Sequence, residues 1–376
     1  MRSSERRPPV GRGVLARRGV RGAAPGLGIT LAFAVVALAV AACGSTPSTP
    51  SASLGTLAGP NSPSAVPPPS ASAAIAASTD PAGSSAATSS SSTAWTATAS
   101  LLRVRLPTAL SRAVVATDGG TVLVIGGLSA SGTTEAILRI DPATRAMSRV
   151  GQLSAPVHDA AGAPFNGSWL VIGGGRTVAV ASVQRVAIGG SRAVSALVGS
   201  LPAARADGAA VAAGGRVLVV GGGRAGVPDG TVLATGDGVH FARLGRLAVP
   251  VRYGAVAALD GAVYVVGGST TGGDTNAIQR IDLATGIARL IGRLPQAVSQ
   301  ATAFVLDGHL LIAGGMHAGR PTTAILALDP ASGRTRTVGR LPEAVADAGV
   351  AVIGGTAYLV GGETGTAYLA SVIAVR

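Results

Sequence analysis

A pair of glycines closing a short apolar run constrains this chain most, because it returns at a nearly constant step. Val122-Leu123-Val124-Ile125-Gly126-Gly127 is the first copy, and the pair recurs at Gly173-Gly174, Gly221-Gly222, Gly267-Gly268, Gly314-Gly315 and Gly361-Gly362. The steps are 47, 48, 46, 47 and 47 residues. A fixed step of this length marks a repeat architecture in which each unit buries its apolar faces against its neighbours.

Each unit follows one grammar. It opens on Leu, often with Pro: Leu106-Pro107, Leu153-Ser154, Leu201-Pro202, Leu247-Ala248, Leu294-Pro295 and Leu341-Pro342. A small, apolar strand follows, such as Ala255-Val256-Ala257-Ala258-Leu259. A two-residue turn comes next: Gly119-Gly120, Asn166-Gly167, Gly214-Gly215, Asp260-Gly261, Asp307-Gly308 and Gly354-Gly355. Such pairs suit tight hairpins, which need positive φ. The second strand runs into the glycine pair. A third is clearest in Ala136-Ile137-Leu138-Arg139-Ile140-Asp141, and a fourth, as in Ala288-Arg289-Leu290-Ile291-Gly292-Arg293, leads to the next Leu. Four short strands per unit, six times over, predict an all-β fold: a six-bladed β-propeller.

The two ends predict closure. The last unit stops at Arg376 after its third strand, while Leu101-Leu102-Arg103-Val104-Arg105 precedes the first Leu-Pro, where a fourth strand belongs. The N-terminal strand is therefore expected to complete the last blade and remove an open sheet edge. The glycine pair after an apolar strand and the step of about 47 residues resemble the kelch repeat family over most of the region from 93 to 376. Kelch repeats also place a Tyr and then a Trp at fixed steps after the glycines. The only two Trp here, Trp95 and Trp169, lie outside those slots, which leaves another six-bladed class open.

The N-terminal region reads as an address. Residues 1–25 carry seven Arg and one Glu, and Gly26 to Ala42 is an uncharged apolar run of 17 residues, the pattern of a secretory signal. Val40-Ala41-Ala42-Cys43-Gly44 resembles the lipobox of bacterial lipoproteins, which implies cleavage before Cys43 and a lipid on its sulfur. An uncleaved signal anchor is the alternative. Residues 43–92 are rich in Ser, Thr, Ala and Pro and are expected to form a disordered tether, since they bury too little apolar surface to offset chain entropy. The expected organisation is thus a signal over 1–42, a tether over 43–92 and the propeller over 93–376, outside the cytoplasm and attached to the membrane by lipid.

Composition excludes several chemistries. All 30 basic residues are Arg, spread over every unit without a run, so no nucleic-acid partner is expected despite a net charge of +13. Cys43 is the only cysteine, which excludes an intramolecular disulfide and the Cys-linked Tyr of copper oxidases built on similar repeats. One His beside scattered Asp falls short of a metal signature. No phosphate loop is present, because no helical pattern follows Gly221-Gly222-Gly223-Arg224-Ala225-Gly226. No cofactor is expected.

What does not repeat carries the functional expectation. The seventh residue of each unit, counted from its opening Leu, is Arg112, Asp159, Asp207, Tyr253, Gln300 and Asp347, and the next residue is always Ala or Gly. Resemblance to propellers places this position at the mouth of the axial channel. His158, Arg205 and Arg252 are expected to thicken the ring, with Arg176, Arg224, Asp274, His317, Arg320 and Glu363 on the loops after the glycine pairs. Exposure of loop ends alone gives similar polarity. The expected function is a tethered binding or scaffold module whose partner is a small polar ligand or an extracytoplasmic protein. A mutarotase- or lyase-type enzyme acting on a sugar acid is the alternative.

Overall fold

The structure is a computed structural model that describes residues 95–376. The expected signal segment, Cys43 and the tether lie outside the described residues. The described chain is all-β, without a helix.

The sheets are antiparallel meanders in chain order. In the fourth unit Ala255–Leu259, Ala262–Val266, Ala277–Ile281 and Ala288–Arg293 pair in that order. The fifth unit repeats this with Thr302–Leu306, His309–Ala313, Ala324–Leu328 and Thr335–Arg340, and the third with strands from Ala206 to Arg246. The first two units are joined into one eight-stranded sheet by a short parallel pairing of their outer strands, Ala193 with Gly151 and Val194 with Gln152. The last sheet orders Ala99–Leu101 beside Val372–Val375, then Thr356–Val360 and Gly349–Ile353. The arrangement is propeller-like.

Local chemistry sets these elements. The expected turn pairs all close hairpins: Asp260 and Gly261, at φ of 49° and 71°, join Leu259 to Ala262. The second strands are the most apolar and are buried on both faces, as in Ala262–Val266, which is what a sheet covered on both sides requires. The core lies between successive units. One apolar cluster joins Leu106, Leu110, Val122 and Val124 of the first unit to Val360 and Val372 of the last.

Both residues of the repeated glycine pairs have positive φ, 63° and 108° at Gly126 and Gly127. The second glycine donates its N–H to the following unit: Gly127 to Val157 O at 2.8 Å, and so on to Gly315 with Val345 O. The last link returns to the beginning, with Gly362 donating to Leu110 O at 2.9 Å.

The N-terminal strand adds to the last sheet, but earlier than its apolar residues predict. The strand is Ala99–Leu101, with Ala99 opposite Val375 and Leu101 opposite Ile373. Beyond it, Leu102 and Leu106 bond singly to Val372 and Ala370, while Val104 and Leu106 turn into the apolar cluster. The alternation in Leu102, Val104 and Leu106 thus reflects burial against the first unit rather than ladder pairing. Upstream, Ala97 donates to Val338 O of the fifth unit, and the Trp95 ring sits 4.4 Å from that of His309.

Candidate functional site at the axial mouth

The six residues at position seven form a ring. All have left-handed backbone: Arg112 (φ 58°), Asp159 (54°), Asp207 (61°), Tyr253 (54°), Gln300 (57°) and Asp347 (50°). This conformation turns each N–H toward the carbonyl of the preceding member. Asp159 donates to Arg112, Asp207 to Asp159, Tyr253 to Asp207, Gln300 to Tyr253 and Asp347 to Gln300, at 2.8 to 3.1 Å. Arg112 closes the circle by donating to Asp347 O at 3.2 Å. Left-handed backbone costs an L-residue roughly 1–2 kcal/mol, and Asn or Asp tolerate it best. Arg, Tyr and Gln side chains kept at such a position are held there against a local strain that glycine would relieve.

The side chains make two polar groups. Arg112 faces Asp159 at 3.5 Å, Asp347 at 3.4 Å and Glu363 at 3.4 Å, and Gln300 donates to Asp347 Oδ2 at 2.7 Å. Arg252 Nε donates to Asp207 Oδ2 at 2.7 Å, and its guanidinium lies 4.9 Å from the centre of the Tyr253 ring. His158 shares a 2.8 Å hydrogen bond with Thr133 Oγ1 and stands 3.6 Å from Asp159. Arg112 Nε is buried and makes no hydrogen bond among the described residues.

Two cavities open here. The ring and its small neighbours, Ala113, Ala160, Gly208, Gly254, Ala301 and Ala348, line one of 160 Å³ on the axis. A half-open bowl of 790 Å³ lies beside it, walled by the second and third units and reaching Arg252 and Tyr253 of the fourth. Its lining includes His158, Asp159, Arg176, Asp207 and Arg224.

Burial dominates the electrostatics. It raises the Asp159 carboxyl to about 7, with Asp207 adding to the effect and Arg112 opposing it. Burial and then Asp159 push Asp347 well above the usual carboxylate range. Burial together with Asp159 and Asp207 raises the Tyr253 phenol, and burial followed by Arg112 lowers His158. Burial works against the Arg112 charge, but Asp159, Asp347 and Glu363 outweigh it and hold the guanidinium protonated. Asp159 is therefore placed to exchange a proton near neutral pH.

A pH dependence of stability follows. Asp159 keeps in the native state a proton that the unfolded chain releases near 3.8. Its contribution is full below that value and is lost as pH rises through about 7. Aspartates held low by their turns, such as Asp282 and Asp329, act in the opposite sense, but only below about pH 4. Asp347, also raised, adds to the fall, whereas His158, held below its ordinary value, acts in the opposite sense below about 6.5. Between pH 6.5 and 8 the melting temperature is therefore expected to fall. Asp159→Asn, neutral throughout and tolerant of left-handed backbone, is expected to flatten that fall in calorimetric scans. An equally steep fall in the variant contradicts the assignment.

One expected member does not face the mouth. Arg205 is 6% exposed and donates to Gly221 O and Thr231 O at 2.9 Å and to Asp229 at 2.6 Å. Its place, fifth in the unit, is Leu or Val in the other five, so its side chain replaces an apolar plug between strands. Alignment at that position carried the signal. Of the loop residues, Glu363 reaches Arg112, and Arg176 and Arg224 line the bowl. Asp274 bonds Ser269 and His317 bonds Ala297 O, away from both cavities. Among the described residues no cluster of three His, Cys, Asp or Glu is arranged to hold a metal ion, and no helix is long and apolar enough to cross a membrane.

No family model and no curated protein matches the chain. Among solved structures, that of YjhT superposes with a TM-score of 0.61 over 72% of this chain and 99% of its own, at 17% identity. The shared fold is the β-propeller. At this identity the likeness describes the scaffold, and the mouth must be read from its own residues.

Proposed function

We propose that this protein is a six-bladed, kelch-like propeller, tethered outside the cytoplasm by a lipid on Cys43, that binds a small polar anion in the bowl at its axial mouth. Six blades are supported by the closed circle of six hydrogen bonds through Arg112, Asp159, Asp207, Tyr253, Gln300 and Asp347. The observation that carries the binding function is the bowl itself. Its 790 Å³ suits a small molecule. Exposed Arg176 and Arg224 stand on its wall, and neither joins an ion pair among the described residues. Arg252, fixed by Asp207 and stacked on Tyr253, supplies a positioned donor among its lining residues. Asp159, raised by burial to about 7, is only partly ionised near neutral pH, which limits the repulsion an anion would meet.

A thermal-shift screen of sugar acids and cell-wall fragments tests this reading. A hit is expected whose shift disappears in the double variant Asp207→Asn with Arg252→Ala. Removing both partners avoids stranding one buried charge. A hit that survives the double variant places binding elsewhere.

One observation favours the enzymatic alternative. A carboxyl titrating at about 7, beside an arginine and a tyrosine, is suited to give and take protons at physiological pH. A mutarotase acting on a sugar acid would then show exchange between anomer signals in NMR that Asp159→Asn abolishes. Binding without such exchange leaves the module reading.

A further inference from the structure

Each unit has a wedge between the segment following its opening Leu and the face of its third strand. That strand carries a recurring bulge, with register shifts at Ile137/Leu138, Val183/Gln184, Val232/Leu233, Ile278/Gln279 and Ile325/Leu326. The bulge makes Leu138, Gln184, Leu233, Gln279 and Leu326 equivalent. In the second unit the Gln184 carboxamide accepts from Ala155 N at 3.0 Å and donates to Ala155 O at 2.9 Å. In the fourth, Gln279 does the same with Val249, at 2.9 and 3.0 Å. These glutamines are 1% and 0% exposed. Arg205 fills the third wedge through Gly221 O and Thr231 O, and in the sixth the Glu343 carboxylate accepts from Ser371.

The first and fifth units have Leu138 and Leu326 at this place, and their wedges are open. The cavities measure 630 Å³ in the first and 380 Å³ in the fifth. In the first, Thr108 stands where Ala155 and Val249 stand, and its N–H and C=O form no hydrogen bond among the described residues. Leu110, Val124, Leu138 and Met147 line the same cavity, with the exposed Arg105 and Arg149 at its edge.

We infer that the first-unit cavity is a binding site for the carboxamide of a Gln or Asn side chain presented by a peptide, which takes the place that Gln184 and Gln279 fill internally. The amide meets the Thr108 N–H and C=O as a two-way pair, and the methylenes of the side chain lie on Leu138 and Met147. The site is separate from the mouth and does not depend on the reading given for it.

Met147 provides the reporter, being one of only three methionines in the chain. The full-length protein labelled at methionine methyls is titrated with N-acetylglutamine methylamide. The Met147 methyl resonance is expected to shift and saturate, with at least tenfold weaker response to N-acetylleucine methylamide and to N-acetylalanine methylamide. Leu138→Gln, which supplies the plug internally, is expected to abolish the response. Ser131→Trp covers the cavity from an exposed rim position and serves the same end should Leu138→Gln fail to fold. Leu326→Gln, in the fifth unit, is expected to leave it unchanged. No response in the wild type, an equal response to the leucine or alanine probe, or a response that survives Ser131→Trp overturns the inference.

Discussion

Replacing Gly361 with alanine is expected to lower the melting temperature by roughly 6–12 °C, equivalent to about 3 kcal/mol in a domain of this size. Two causes combine. At φ of 65° any L side chain is strained. An added Cβ would also fall inside van der Waals contact of the Leu110 carbonyl oxygen, the group to which Gly362 donates. The chain can relieve the clash only by moving the segment that bonds the last unit to the first. Gly120→Ala serves as the control: its backbone is not left-handed and nothing lies near the added carbon, so its effect is expected to stay within about 0.5 kcal/mol. Equal melting temperatures for the two variants would remove the glycine pair from its role as the link between units.

Deleting residues 95–105 is expected to have a still larger effect, with loss of a single cooperative unfolding transition. The deletion strips Ala99–Leu101 from Val372–Val375 and exposes an unpaired edge. It also removes Ala97, buried against Phe304 and Ile325 of the fifth unit, and Val104, buried against the first. Burial of the Ala97 methyl and the Val104 side chain already contributes roughly 2 to 3 kcal/mol, before the hydrogen bonds are counted. Light scattering on heating measures the edge, and calorimetry measures the cooperativity. An unchanged melting temperature contradicts closure by this strand.

Most of the scaffold was legible in the residues because tight turns and close backbone approaches admit few amino acids. Asp260-Gly261 and its equivalents mark hairpins, and the glycine pairs mark the contacts between units. Counting from the opening Leu also found the ring, since a repeat fold puts equal positions at equal places. The backbone state of that ring was not legible: Arg112, Tyr253 and Gln300 are not residues that signal positive φ, and only the circle of hydrogen bonds requires it. Arg205 misled because charge suggested exposure, whereas its guanidinium substitutes for an apolar plug. The N-terminal strand was displaced for a related reason, as Val104 and Leu106 answer to burial and not to pairing. The wedge pattern needed the structure, since it depends on a bulge that aligns Gln184 with Leu138 across units of unequal length.

Anion recognition at the mouth, as proposed, runs through Arg252. Isothermal titration of the screening hit against wild type, Arg252→Ala with Asp207→Asn, and the exposed Arg293→Ala tests it most directly. Loss of a charge-assisted hydrogen bond in a partly closed site is expected to weaken binding roughly 10- to 100-fold in the double variant. Affinity is expected to remain unchanged in Arg293→Ala, whose side chain bonds Asn276 away from the bowl. Equal affinities for all three proteins would contradict the account.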